Sequence, residues 1–140
     1  MKEIADLFKR KSIKIGGLLF SLDEIEHGLL RQNKRQIFDG NPVMQKLMVD
    51  NLDYRIHFAL NCGAQSCPPI AFYTSDQIDY QLAVAEASFV EKEFIVNHDL
   101  KTIRCSALFS WYREDFSERY LDDEQHEGYR VDLMPYEWRI

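Results

Sequence analysis

Arg55-Ile56-His57-Phe58-Ala59-Leu60-Asn61-Cys62-Gly63-Ala64-Gln65-Ser66-Cys67-Pro68-Pro69 is the stretch on which the fold class turns. Its first six residues alternate, with Ile56, Phe58 and Leu60 on one face and His57 and Ala59 on the other, which predicts a β-strand. The remainder, from Asn61 to Pro69, is built from turn formers and predicts a loop. A strand here, between segments of helical periodicity, makes the chain a mixture of helix and sheet.

Working toward the C-terminus, Thr74-Ser75-Asp76-Gln77 fits a capping box, and Ile78, Leu82, Ala85 and Phe89 follow at helical spacing. These predict a helix over residues 75–92. Phe94 to Val96 and Thr102 to Arg104 flank Asn97-His98-Asp99 and predict a hairpin. Leu108, Phe109, Trp111, Tyr112 and Phe116 then predict an aromatic helix whose rings belong to the core.

Working toward the N-terminus, Pro42 opens a short helix with Val43, Leu47 and Met48, and residues 32–41 read as a loop. Ser21-Leu22-Asp23-Glu24 is a capping box for a helix over residues 22–31. At about 100° per residue its apolar stripe is Leu22, Ile25 and Leu29, which puts His27 on the polar face with Asp23 and Arg31 four residues to either side. Ile13 and Ile15, Gly16-Gly17, and Leu18 to Phe20 predict a second hairpin. Residues 2–9 carry Ile4, Leu7 and Phe8 at helical spacing but are too short to be stable alone. No repeat or linker divides the chain, so the expectation is one α+β domain of about five helices around a small sheet of short hairpin strands.

With 140 residues, 46% hydrophobic and 13% aromatic, there is material for a core. The 17 basic against 23 acidic side chains give a net charge of −6, the wrong sign for a nucleic-acid partner. The short basic clusters Lys9-Arg10-Lys11 and Lys34-Arg35 read as solvated ends. No apolar run approaches the roughly 18 residues of a membrane span, and Met1-Lys2-Glu3-Ile4 opens no signal peptide. The compartment expected on that ground is the cytoplasm, with export open if the natural start lies upstream. Cys62, Cys67 and Cys105 are an odd set and are expected as reduced thiols.

The loop after the His57 strand holds the residue types that nucleophilic chemistry needs. Gly63 permits a tight exposed turn beside Cys62, and the turn's N–H groups can face an oxyanion. A thiol requires a base or positive field to ionise near neutrality, and His27 and His57 are the two candidates, with Asp23 or Asn61 orienting the ring. His57 and Cys62 differ by five positions, so a straight strand would point them to opposite faces. The same side chains supply a Cys₂His₂ inventory, His27, His57, Cys62 and Cys67, although the gap between the cysteines sits at the edge of zinc spacing. A Cys62–Cys67 disulfide is a third possibility and would require an oxidising compartment. His98 and His126 are expected in solvent and Cys105 in the core, while Arg113 and Asp115 are expected either as surface charges or as groups that fix their helix to a segment missing from the chain. No cofactor is expected.

Four blocks together carry a family resemblance: residues 21–31, residues 56–69, Phe109-Ser110-Trp111-Tyr112-Arg113-Glu114-Asp115-Phe116, and Tyr136-Glu137-Trp138. In that order the chain resembles the C-terminal part of the domain of unknown function 547 family. The resemblance covers nearly the whole chain and implies that a usual N-terminal helical segment is absent, and that many bacterial relatives are exported. Plant relatives often have serine at the Cys67 position, which favours Cys62 as the nucleophile. Three functions stay open: a cysteine-dependent hydrolase or acyl transferase, a non-catalytic binding or assembly module with structural Cys and His, and a zinc module. The expected partner is a small molecule or a protein, with a homo-oligomer or the missing segment as further possibilities.

Overall fold

A computed structural model describes residues 2–38 and 40–139. The chain is α+β, with short helices and two sheets of short strands, and it divides into two compact units, residues 1–53 and 54–140. Among the described residues no helix is long and apolar enough to cross a membrane.

The first unit opens with helix α1 (Lys2–Lys9), in which Leu7 is exposed; the side chain of Ile4 lies outside the described residues. Strands β1 (Ile13–Ile15) and β2 (Leu18–Phe20) then pair antiparallel, Ile13 opposite Phe20 and Ile15 opposite Leu18. Gly16 and Gly17 have φ of 56° and 85°, the two left-handed residues that a type I′ turn needs to match the twist of its strands. The capping box forms as expected, the Ser21 N–H donating to Glu24 Oε2 at 2.9 Å and the Glu24 N–H to Ser21 Oγ at 3.1 Å.

The helix that follows is wound as a π-helix over Glu24–Leu30, with the Arg31 N–H donating to the Glu26 carbonyl and the Asn33 N–H to the Gly28 carbonyl, both at 2.9 Å. These bonds close over five residues rather than four, so each residue turns through less than the angle assumed in counting an α-helical stripe. His27, expected on the polar face, is therefore buried together with Gly28 and Leu29, and Leu22 faces solvent. Leu29 packs with Phe20 and Phe38, while Ile25, Met44 and Met48 close the cluster from its edges. Asn33 fixes Phe38 by accepting its N–H at 2.9 Å and donating to its carbonyl at 3.0 Å. The expected short helix is α2 (Pro42–Gln45), capped by Asn41 Oδ1, which accepts the Val43 N–H at 2.9 Å.

Gly28 is where the Phe38 ring meets the π-helix, and a Cβ added there would overlap Phe38 Cε2 and Cζ. Gly28→Ala is expected to destabilise by about 1–3 kcal/mol through this overpacking, despite alanine's better helix propensity. Urea denaturation of the variant checks it; a stabilised Gly28→Ala would mean that Phe38 can swing aside.

In the second unit the expected strand at residues 55–60 is instead a 3₁₀ helix, Tyr54–Phe58. Ile56, His57 and Phe58 are all buried, which a strand with one wet face would not allow. The segment satisfies its backbone locally, the Leu60 N–H donating to the Ile56 carbonyl at 2.9 Å. Six alternating residues fit a strand and a short buried helix alike, and packing on several sides decided between them.

Helix α3 (Ile78–Glu93) buries Leu82 and Phe89 as its spacing predicts. It starts later than expected because the Thr74 box does not form; the Thr74 N–H donates to the Gln81 side chain at 2.9 Å, and residues 75–77 are a turn. The expected hairpin is present as β3 (Phe94–Asn97) and β4 (Thr102–Cys105), paired antiparallel. A further strand, β5 (Arg130–Leu133), runs parallel to β4 and completes the order β3-β4-β5. The aromatic helix is broken in two, α4 (Leu108–Trp111) and a 3₁₀ turn Arg113–Asp115, with Tyr112 between them in the bridge region at φ −110° and ψ 21°. Phe58, Phe89, Phe109 and Phe116 meet there in the core with Ile103, Cys105 and Leu108.

Candidate functional site

The sequence-predicted residues fall into three groups. The first is His57, which the 3₁₀ helix carries into the core. Its Nε2 lies 2.8 Å from Asp115 Oδ2, with the two side chains 1% and 0% exposed. Tyr112 stacks on the imidazole at a centroid distance of 3.8 Å, and Phe116 meets it edge-on at 5.6 Å. Asp115, expected either as a surface charge or as an anchor of its helix to the missing segment, is thus a buried partner of His57. It is delivered inward by the break at Tyr112, which turns Asp115 off the course a continuous helix would give it. Arg113 does stay at the surface, where it grips Asp122 at 2.9 Å.

The second group is the loop of residues 61–69. Asn61 braces it, its Oδ1 accepting the Gly63 N–H at 2.7 Å and its Nδ2 donating to the Pro68 carbonyl at 2.6 Å. Gly63 at φ 87° supplies the left-handed turn expected of it. Cys62 and Cys67 are joined in a disulfide, which corrects the expectation of reduced thiols. The bracing explains it: Asn61 closes the loop at both ends and brings the two sulfurs together. Cys105 remains a free thiol, buried as expected, with burial pushing its pKa up to about 11.

The C-terminal segment docks on this loop. The Gln65 N–H donates to the Arg139 carbonyl at 3.0 Å, the Ser66 N–H to the Glu137 carbonyl at 3.4 Å, and the Glu137 N–H to Ser66 Oγ at 2.8 Å. Tyr136 is thereby set with its hydroxyl 3.2 Å from Cys67 Sγ and 3.5 Å from Cys62 Sγ. Burial raises the pKa of this phenol, so it keeps its proton. Tyr136 also packs on Trp111 and Trp138, each with a centroid distance of 4.7 Å. Neither Tyr136 nor Asp115 was identified as a site residue from the sequence. The blocks Tyr136-Glu137-Trp138 and residues 109–116 were the signal that could have found them.

The third group is His27, in the first unit. Arg31 Nη1 lies 3.0 Å from His27 Nδ1, and since arginine only donates, Nδ1 accepts and the ring proton sits on Nε2. Nε2 in turn lies 3.7 Å from Asp23 Oδ1, as the helical spacing suggested. Burial holds the His27 pKa below its ordinary 6.5, and Arg35 and Arg31 act in the same direction against Glu26 and Asp23.

A histidine whose pKa is depressed by folding is protonated first in the unfolded chain. Its contribution to stability is present above about pH 6.5 and declines as the pH falls below that value. The stability difference between wild type and His27→Gln is expected to shrink, or change sign, between about pH 7.5 and 5.5. Urea midpoints of both proteins at the two pH values test this; a difference that grows on acidification would mean that folding favours the imidazolium.

The structure therefore brings together Cys62 with Cys67 and Tyr136, His57 with Asp115, and His27 with Arg31. Among the described residues no three His, Cys, Asp or Glu side chains are gathered as a metal could use them, so the Cys₂His₂ inventory is not assembled. No curated protein and no solved structure matches the chain. The profile of the family described as "Protein of unknown function, DUF547" matches residues 2–90, which spans the first unit, the disulfide loop and most of α3. With more than half of its 140 residues matched, the chain belongs to that family.

Proposed function

We propose that this chain is a non-catalytic binding or assembly module in which His27, His57, Asn61 and Cys62 are framework residues. The observation that carries this reading is the engagement of His57: its Nε2 is given to a fully buried carboxylate. Cys62 and Asn61 support it, since one is held by Cys67 and the other closes the loop on itself. Directly after the loop, Ile70 and Phe72 are 77% and 92% exposed, apolar side chains available to a protein partner.

The competing reading is an acyl-transfer enzyme with Cys62 as its nucleophile, which requires the disulfide to open. The test is hydrolysis of p-nitrophenyl acetate by the reduced protein, with mass spectrometry of the products. The expected result is that reduced wild type and Cys62→Ser turn over alike, Cys62→Ser losing between a few tenths and about 2 kcal/mol of stability. An acylated Cys62, with turnover abolished in a well-folded Cys62→Ser, would replace the module by the enzyme.

A further inference from the structure

The geometry points to a thiol–disulfide exchange site at Cys62–Cys67, in which an external thiol attacks Cys62 and Cys67 is the leaving group. The inference does not depend on the binding-module reading. It starts from an asymmetry between the sulfurs. In the disulfide neither sulfur carries a proton, so the contacts to them have one direction only. The Cys62 backbone N–H donates to Cys67 Sγ at 3.0 Å. The Tyr136 hydroxyl has one proton to give, and of its two sulfur neighbours the nearer is Cys67, at 3.2 Å against 3.5 Å. Two donors thus converge on Cys67 Sγ.

Donors on a sulfur stabilise the thiolate that it becomes, and exchange runs faster when the departing thiolate is the more stable one. The thiolate of a monothiol such as glutathione attacks Cys62 Sγ, forming a mixed disulfide as the Cys62–Cys67 bond breaks. The bonding pair leaves with Cys67, whose thiolate is met by the Cys62 N–H and the Tyr136 O–H. A second thiolate attacks the glutathione sulfur of the mixed disulfide and releases Cys62 as thiolate. The protein disulfide is reduced by two electrons, and two glutathiones are oxidised to their disulfide.

The site is reachable and built. Cys62 and Cys67 are both partly exposed, unlike buried Cys105, which sits outside this chemistry. Tyr136 is held in place by the loop itself, through Ser66 and Gln65 on the adjoining main chain. Tyr136 is a positioning residue here, acting through the leaving thiolate.

The oxidised wild-type protein is exposed to reduced glutathione, quenched in acid at successive times, and mapped by mass spectrometry. The transient adduct is expected on Cys62, with Cys67 as the free thiol. An adduct on Cys67, comparable adducts on both, or a disulfide that resists millimolar glutathione for hours overturns the proposal. In a second measurement, the pH dependence of iodoacetamide alkylation is read for Cys67 in Cys62→Ser and for Cys62 in Cys67→Ser. The apparent pKa of Cys67 is expected to lie at least about one unit below that of Cys62, with Tyr136→Phe raising the Cys67 value toward about 8.5 and slowing reduction several-fold. Equal values in the two variants, or a Tyr136→Phe protein reduced at the wild-type rate, also overturn it.

Discussion

His57→Phe is expected to cost about 3–5 kcal/mol of stability, near the upper end for a single substitution. The phenyl ring preserves the stacking on Tyr112, so lost packing is not the cause. What it removes is the donor facing Asp115 Oδ2, in a place where that carboxylate has no exposure to water. Removing one member of a buried pair weakens what offsets the desolvation of the other. The double variant His57→Phe/Asp115→Leu is expected to recover much of the loss, since an apolar pair carries no such penalty. Urea denaturation of the wild type, both single variants and the double variant gives the cycle. A His57→Phe cost below about 1 kcal/mol, or a double variant as unstable as the sum of the singles, would show that the pair is not coupled as its geometry indicates.

Phe58→Ala is the second large effect, at about 3–5 kcal/mol. The ring lies within 5.5–6.0 Å, centroid to centroid, of Phe89, Phe109, Phe116 and Tyr120, so its removal opens a hole lined by other rings. Four aromatic neighbours cannot all move inward, because each is packed on its own neighbours; the cavity would persist and with it the larger part of the cost. Phe72→Ala is the comparison, an equal change in composition at a position exposed to solvent, and it is expected to stay within about 0.5 kcal/mol. Similar costs at the two positions would contradict the placement of Phe58 at the centre of the second unit.

What was readable in the sequence was what neighbouring residues decide among themselves. Ser21 and Glu24 cap each other three positions apart, Gly16-Gly17 makes its turn without outside help, and Leu82 and Phe89 mark one face of α3. The α+β class followed from such local signals. The Tyr54–Phe58 segment was misread because its alternation suits a strand only if one face is wet, and nothing within six residues reveals that both are covered. His27 was misplaced because angular counting presumes an α-helix, and a π-wound segment carries the same residue types. Strand β5 escaped notice because its alternation, Arg130-Val131-Asp132-Leu133, is only four residues long, and its place beside β4 is set by the chain's path.

The site was legible in its residue types and not in its pairings. Cys62, Cys67, Asn61 and Gly63 were all marked, and the disulfide stood among the alternatives, but the choice depended on the reach of Asn61 across the loop. Asp115 is 58 positions from His57, and Tyr136 is 69 from Cys67. Partners at such separations are set by the chain's path, and a buried aspartate looks like a surface one until that path is known.

Both tryptophans of the protein, Trp111 and Trp138, stand 5.8 Å apart beside Tyr136. Every photon of indole emission therefore comes from one locality, where the C-terminal segment meets the disulfide loop. Residues 1–53 contain none and are optically silent at those wavelengths. Fluorescence thus follows the release of residues 136–139 from the loop, whereas far-ultraviolet dichroism sums over both units. The difference between the two signals during denaturation is a direct measure of whether the units melt together, obtained without a label or a substitution.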